Sequence, residues 1–380
     1  MSKRLFWQVV SILVLASIMV TACTPAQVTT TAPQPEKVNP APTEVPADTQ
    51  PAPTEAPAAP VTVAEPTELK IAIVMSTTIE EPWNAVYVQA LDRVAKEKPY
   101  GLTITYDYSE NVATTDAERV MNNYANSGKY GIMVYHSGQY ADSSDVTRNK
   151  YPDILIGGSG SGFKPLGGNF VHSDVWVHEC SYLLGIVAGS MTESNILGAV
   201  GAFPYPNVNL PINAFFAGAK SVNPEVKQVM TYLESWWDPA KAKESAAAQI
   251  AAGADYIYAE RFGVFEAAKE AKVYAFGHSS DQHELAPDVV VSSALSRWDP
   301  TIKNMIDIWW DHQVNGTEYN VPTTTYIPTL EQGVCDIAPF YDFESKIPQE
   351  VKDAVTQARK DIESGAIKVP MIQDKVESTN

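Results

Sequence analysis

"LKIAIVMSTTIEEPWNAVYVQALDRVAKEK", residues 69–98, decides the architecture. Residues 69–76 are an almost unbroken apolar run, as expected of a strand buried on both faces. Residues 83–98 carry their apolar side chains at helical spacing, and a short polar loop lies between. The same strand–loop–helix unit recurs. "LTITYDYS" (102–109) precedes the helical "DAERVMNNYANSG" (116–128), and "YGIMVYH" (130–136) and "DILIGGS" (153–159) read as further strands. The pattern then restarts with a helix at 180–191 and a strand at 196–203. A helix at 210–222, a strand at 227–235 and a helix at 239–253 follow, then a strand at 254–260, a helix at 264–271 and a strand at 272–278. Apolar strands alternating with helices predict parallel sheets covered on both faces, and two successive series predict two doubly wound α/β lobes.

The strand ends share a feature. They close on Ser76 and Thr77, His136 and Ser137, Phe203 and Tyr205, residues 234–237, Glu260 and Arg261, and the polar run His278 to Gln282. In open α/β sheets ligands bind outside the carboxyl ends of the strands. Two lobes facing each other would gather these edges around one cleft, and the polar run "HSSDQH" (278–283) reads as part of its binding edge.

At the other extreme of the chain, Lys3 and Arg4 precede an apolar run that ends in Val20, Thr21, Ala22 and Cys23. A basic start, a hydrophobic stretch and small residues before a cut predict a secretory signal over residues 1–22. The cysteine after the cut resembles a bacterial lipobox, with Cys23 as the acylated residue. Residues 23–66 are rich in Pro, Ala, Thr and Glu and contain no aromatic side chain. Such a segment buries too little apolar surface to offset its ordering entropy and reads as a semi-rigid stalk. The formal charge of −18 falls mainly on the remainder, which makes nucleic acid a poor partner. Cys180 and Cys335 are far apart in sequence and offer no spacing argument; buried free thiols are the expectation over a disulfide.

No phosphate-binding loop, nucleophile elbow or zinc-binding motif occurs. "GGSGSGF" (157–163) lacks dinucleotide-binding spacing, and the six histidines are scattered. Neither a metal, a cofactor nor catalysis is expected.

Three longer stretches carry a family likeness: residues 185–224, "SWWDPAKAKESAAAQIAAGADYIY" (235–258) and "VYAFGHSSDQHELAPDVV" (273–290), joined by "IESGAIKVP" (362–370). Together they resemble the basic membrane protein family, lipoproteins that serve as solute-binding components of ABC importers. The resemblance implies the type I periplasmic-binding fold, with two lobes around a ligand cleft joined by a multi-strand hinge. The implied division puts residues 67–174 and 293–325 in one lobe, and 175–292 and 326–380 in the other. It also implies a monomer, lipid-anchored on the extracytoplasmic face of a bacterial membrane, that delivers a purine base or nucleoside to a permease. Ser279 and Ser296 stand where nucleoside-binding members carry an acidic residue and a lysine, and "EEPWN" (80–84) replaces their first loop; the segments "WWDPAK" (236–241) and "AFPYP" (202–206) resemble the base-binding branch instead. The expected ligand contacts are the aromatic Trp83, Tyr140, Phe203, Tyr205, Trp236 and Trp298 and the polar Asn84, His136, His278 and Asp281. Glu81 reads as a solvated loop residue, and Asp238 and Asp299, each before a proline, as helix caps. The rival reading is a surface receptor, adhesin or sensor on the same fold without transport.

Overall fold

The computed structural model describes residues 65–379. The signal segment, Cys23 and the stalk up to residue 64 lie outside the described residues. The first sheet contains β1 (Glu68–Met75), β2 (Thr103–Ser109), β3 (Ile132–His136), β4 (Leu155–Ser159) and β5 (Phe170–Ser173). Its order is β2-β1-β3-β4-β5, with every pair parallel. The helices α1 (Pro82–Glu97), α2 (Thr114–Asn126) and α3 (Ala141–Lys150) connect these strands. Period-two alternation sends Ile71, Ile73 and Met75 of β1 to one buried face and Ala72 and Val74 to the other. Both faces are covered, which is why β1 reads as an unbroken apolar run.

The second sheet holds β6 (Ile196–Gly201), β7 (Lys227–Tyr232), β8 (Tyr256–Ala259), β9 (Tyr274–Ser279), β10 (Val290–Ser296) and the short β11 (Cys335–Ile337). Its order is β11-β10-β9-β8-β6-β7, parallel except for the antiparallel edge strand β11. Helices α4 (His178–Met191), α5 (Pro206–Val222), α6 (Pro239–Ala251) and α7 (Val264–Ala271) accompany it. Helix α8 (Asp299–Asn315) returns to pack on α1 and the first sheet, and α9 (Gln349–Glu363) packs on α4. Since β10 is a strand of the second sheet through Ser296, the chain re-enters the first group of elements after that residue, later than the boundary expected at 293.

Three segments cross between the two sheets, and they are tied together. Ser173 bridges Tyr326, whose N–H donates to the His172 carbonyl at 2.8 Å, and the Arg297 N–H donates to the Val334 carbonyl at 2.8 Å. Asp174 sits buried on the first crossing and accepts from Ser161 Oγ at 2.8 Å, Trp176 Nε1 at 3.0 Å and the Val175 N–H at 2.9 Å. The expectation of two free thiols is corrected here. Cys180, in the first turn of α4, is disulfide-bonded to Cys335 of β11, their Cα atoms 6.1 Å apart across a sequence separation of 155. The edge strand that returns from the third crossing lies on α4, so the pairing is set by chain topology rather than by any local spacing.

Candidate functional site

In each sheet the strand order reverses beside the first strand of its series, between β1 and β3 and between β6 and β8. A crevice opens at such a point outside the carboxyl ends of the strands. Helix α1 of the first half touches β9 of the second, which brings the two halves together beside these reversals.

On the first side, β1 leads through a loop into α1. Glu81 caps that helix, its carboxylate accepting the Asn84 N–H at 3.3 Å, and Pro82 occupies the first turn, where its missing N–H costs nothing. The cap holds Trp83 over His136 at the end of β3, the two rings stacked 5.4 Å apart. Trp298 meets Trp83 edge-on at 4.9 Å, and Tyr87 closes the cluster 4.3 Å from His136. His136 and Trp298 are fully buried. His136 Nδ1 pairs with Ser159 Oγ at 2.7 Å and Nε2 with the Trp83 carbonyl at 3.3 Å; burial lowers its pKa to about 3, so the ring is neutral. The Trp298 indole N–H and the Tyr87 hydroxyl are buried without a hydrogen-bond partner among the described residues.

On the second side the groups are more open. Phe203 and Tyr205, just before α5, stack 5.3 Å apart, and Trp236 tilts against Phe203 at 5.1 Å. Tyr205 is 50% exposed and Trp236 47%. Beside them Glu260 is buried; it accepts the Ala202 N–H at 2.9 Å and holds both Nε and Nη2 of Arg261. Arg261 Nη1 donates to the Trp236 carbonyl at 3.0 Å, and the guanidinium lies over the Trp236 ring. His278, at the end of β9, pairs through Nδ1 with the Tyr258 hydroxyl at 2.8 Å, which in turn meets Ser181 Oγ at 2.8 Å. Burial lowers the His278 pKa to about 4.

Several expected contacts belong elsewhere. Tyr140 is fully buried on the opposite face of the first sheet, packed on Tyr135, with its hydroxyl donating to the Val112 carbonyl at 2.6 Å; it is core. Asn84 spends its amide on Thr77 Oγ1 at 2.9 Å and the Thr78 carbonyl at 2.8 Å, so it shapes the loop after β1. Asp281 is exposed and accepts from the His283 N–H at 3.1 Å and the Tyr341 hydroxyl at 2.6 Å; it ties down a turn. The polar run around it largely satisfies itself. Ser279 adopts φ 66° and turns the chain back, and Gln282 then accepts the His278 N–H at 3.2 Å. Asp238 caps α6 as expected, accepting the Lys241 N–H at 2.9 Å. Asp299 instead pairs with Arg93 through two bonds of 2.8 and 2.7 Å. Glu81, read as a solvated loop residue, is a partly buried cap. Burial raises its pKa above the usual carboxylate range, while the Arg261 guanidinium across the cleft pulls it back.

Trp83, His136 and Trp298 thus gather on one side, and Phe203, Tyr205, Trp236 and His278 on the other. The sequence reading missed Tyr87 and the pairing of Glu260 with Arg261. "ERFG" (260–263) at a strand end was the available signal for the pair, since a carboxylate beside a guanidinium at such an edge is positioned to become a buried fork.

The sequence pattern of a family described as ABC transporter substrate-binding protein PnrA-like matches residues 69–368. A purine-binding protein of Brucella abortus is 28% identical over 292 residues, spanning 73% of this chain and 76% of that protein. The ABC transporter nucleoside-binding protein BmpA of Lactococcus lactis is 27% identical over 328 residues, spanning 80% of this chain and 90% of that protein. An ABC transporter solute-binding protein from Conexibacter woesei has the same fold, with a TM-score of 0.65 at 22% identity over 80% of this chain and 98% of that one.

Proposed function

Because this chain belongs to the PnrA-like family of ABC transporter substrate-binding proteins, we propose that its cleft takes a free purine base in preference to a nucleoside. Proteins of this kind act outside the cytoplasm and pass a small molecule to a membrane permease. The observation that carries the base reading is the fate of the two sugar-side positions. Ser279 and Ser296, where the family resemblance places an acid and a lysine in nucleoside-binding members, are 7% and 3% exposed and are the last residues of β9 and β10. A short neutral hydroxyl offers a ribose less than a carboxylate or an ammonium does, whereas Trp83, Phe203 and Trp236 offer faces to a flat ring. Stacking a base on one such ring is worth about 1–3 kcal/mol. Both cleft edges come from one chain, which fits a monomer. Closure follows when a ligand touches both sides and so favours the state in which they meet.

A thermal-shift panel of adenine, guanine, hypoxanthine, their nucleosides and glucose tests the reading, since a ligand specific to the folded state adds RT ln(1 + [L]/Kd) to stability. Bases are expected to shift the midpoint at least as far as their nucleosides; a consistent preference for nucleosides, or for glucose alone, contradicts it. Anchoring through Cys23, outside the described residues, completes the proposal. Cys23→Ser is expected to release the protein from membranes, and wild-type protein found in the soluble fraction of its own cells argues against an anchor.

A further inference from the structure

Arg261 has more donors than partners. A guanidinium carries five N–H groups. Nε and Nη2 are held by Glu260, and Nη1 gives one hydrogen to the Trp236 carbonyl. One N–H on each Nη is left without an acceptor among the described residues, at the strand-order reversal beside β6 and β8. The fork cannot swing away, because the buried Glu260 is itself fixed by the Ala202 N–H at 2.9 Å. Across the cleft, Glu81 is fixed as the cap of α1 and keeps acceptor capacity beyond the amide it caps, since a carboxylate has about four lone-pair sites. Arg261 and Glu81 feel each other's charge from opposite sides. The cleft edges therefore carry a held guanidinium with two free N–H groups on one side and a held carboxylate on the other, beside aromatic faces.

That arrangement matches one edge of one ligand class. We propose that Arg261 and Glu81 select a 6-oxopurine, such as hypoxanthine or guanine, over adenine. This rests on the reading that the cleft holds a purine base. A 6-oxopurine offers two adjacent acceptors, O6 and N7, to a forked pair of N–H donors, as guanine does to arginine in nucleic-acid recognition. Its N1–H, next along the ring, is a donor for the Glu81 carboxylate. Adenine reverses both features: an amino group at position 6 points N–H at N–H, and an unprotonated N1 points its lone pair at a carboxylate. With two carboxylates against one guanidinium, the site also disfavours anionic solutes such as nucleotides.

Calorimetry on the full chain with hypoxanthine, adenine and 7-deazahypoxanthine tests this, using wild type, Arg261→Lys and Glu81→Gln. Wild type is expected to bind hypoxanthine about 10-fold or more tighter than adenine, within the 5- to 150-fold that a good bidentate contact supplies. Arg261→Lys keeps a cation beside Glu260 but loses the fork, and is expected to shrink that preference to about 3-fold or less. Glu81→Gln is expected to weaken hypoxanthine about 10-fold and to tighten adenine, whose unprotonated N1 then meets an amide N–H instead of a carboxylate. The 7-deaza analogue, which lacks the N7 acceptor, should bind wild type about 10-fold less tightly than hypoxanthine, and it decides the matter if Arg261→Lys does not fold. Adenine binding as tightly as hypoxanthine, or a preference unmoved by both variants and by the analogue, overturns the inference while leaving the base reading intact. Binding of nucleosides without bases overturns both.

Discussion

The two edges of the cleft are built from the same strand–loop–helix unit and finished in opposite ways. At the ends of β1 and β3, Trp83 rests on the fully buried His136 and Trp298, and the surrounding polar atoms are mostly spent within the protein. At the ends of β6, β7 and β8, Tyr205 and Trp236 remain about half exposed, and Arg261 is anchored on one side only. A sealed edge gives a stacking platform whose shape is fixed before any ligand arrives. An open edge keeps hydrogen-bonding groups for the ligand and leaves room to close on it. The division is partial: Glu81 keeps an acceptor at the sealed edge and Trp236 offers a face at the open one, so each edge supplies both affinity and discrimination, in different proportions.

The contrast is broken most directly at its two tryptophans. Trp298→Ala removes a fully buried ring and is expected to cost about 3–5 kcal/mol of stability in a denaturant titration. Trp236→Ala removes a half-exposed ring and is expected to cost less than about 1 kcal/mol, yet to weaken base binding by about 5- to 150-fold in calorimetry. A large stability loss at Trp236, or binding unchanged there, erases the distinction. The disulfide sharpens it. Reducing Cys180–Cys335, which ties α4 to the second sheet, is expected to cost about 2–5 kcal/mol, read as a lower unfolding midpoint. Base affinity of the still-folded protein should stay the same, because neither sulfur belongs to either edge.

Acid acts on the two histidines with one sign and on Glu81, whose carboxyl is raised by burial, with the other. Burial lowers His136 from 6.5 to about 3 and His278 to about 4, so both rings are neutral in the fold. Between those values and 6.5 the two rings bind more protons in the unfolded chain than in the folded one, and their share of the stability falls as the pH drops through that window. His278→Gln should remove one ring's share, so that its thermal midpoint falls less between about pH 6.5 and 4 than that of the wild type. A midpoint that falls as steeply in His278→Gln as in wild type contradicts a His278 ring kept neutral by the fold. The smallest effect is expected at Asp281→Ala, which loses a turn bond worth about 1 kcal/mol and leaves base affinity unaltered.

How far the sequence reached follows the same division. Strands buried on both faces announce themselves as apolar runs, and β1, β3 and β6 fall within a residue or two of their expected bounds. Helix α3 was not expected, because its buried positions are filled by Ser144 and Thr147 rather than by apolar side chains. The start of α5 was placed too late, since Pro206 begins the helix and Pro211 lies inside it, where a proline ordinarily argues for an end. At the site, the placement of Trp83 and Phe203 was legible because Phe203 comes just after β6 and Trp83 opens the helix that the loop from β1 leads into. Tyr140 misled for the same reason: it also follows a strand end, but its 3-10 turn carries it back under the opposite face of the sheet. Glu81 differs from its expected solvated place because it caps α1 and feels a guanidinium more than a hundred residues away, which no local pattern records.

Native mass spectrometry of the protein released from its own cells, without unfolding, bears most directly on the ligand. The expected result is a single added mass equal to that of a purine base, lost on denaturation and absent from the Trp236→Ala variant. A retained sugar, nucleoside or amino acid in its place would contradict a cleft built to stack and read a free base.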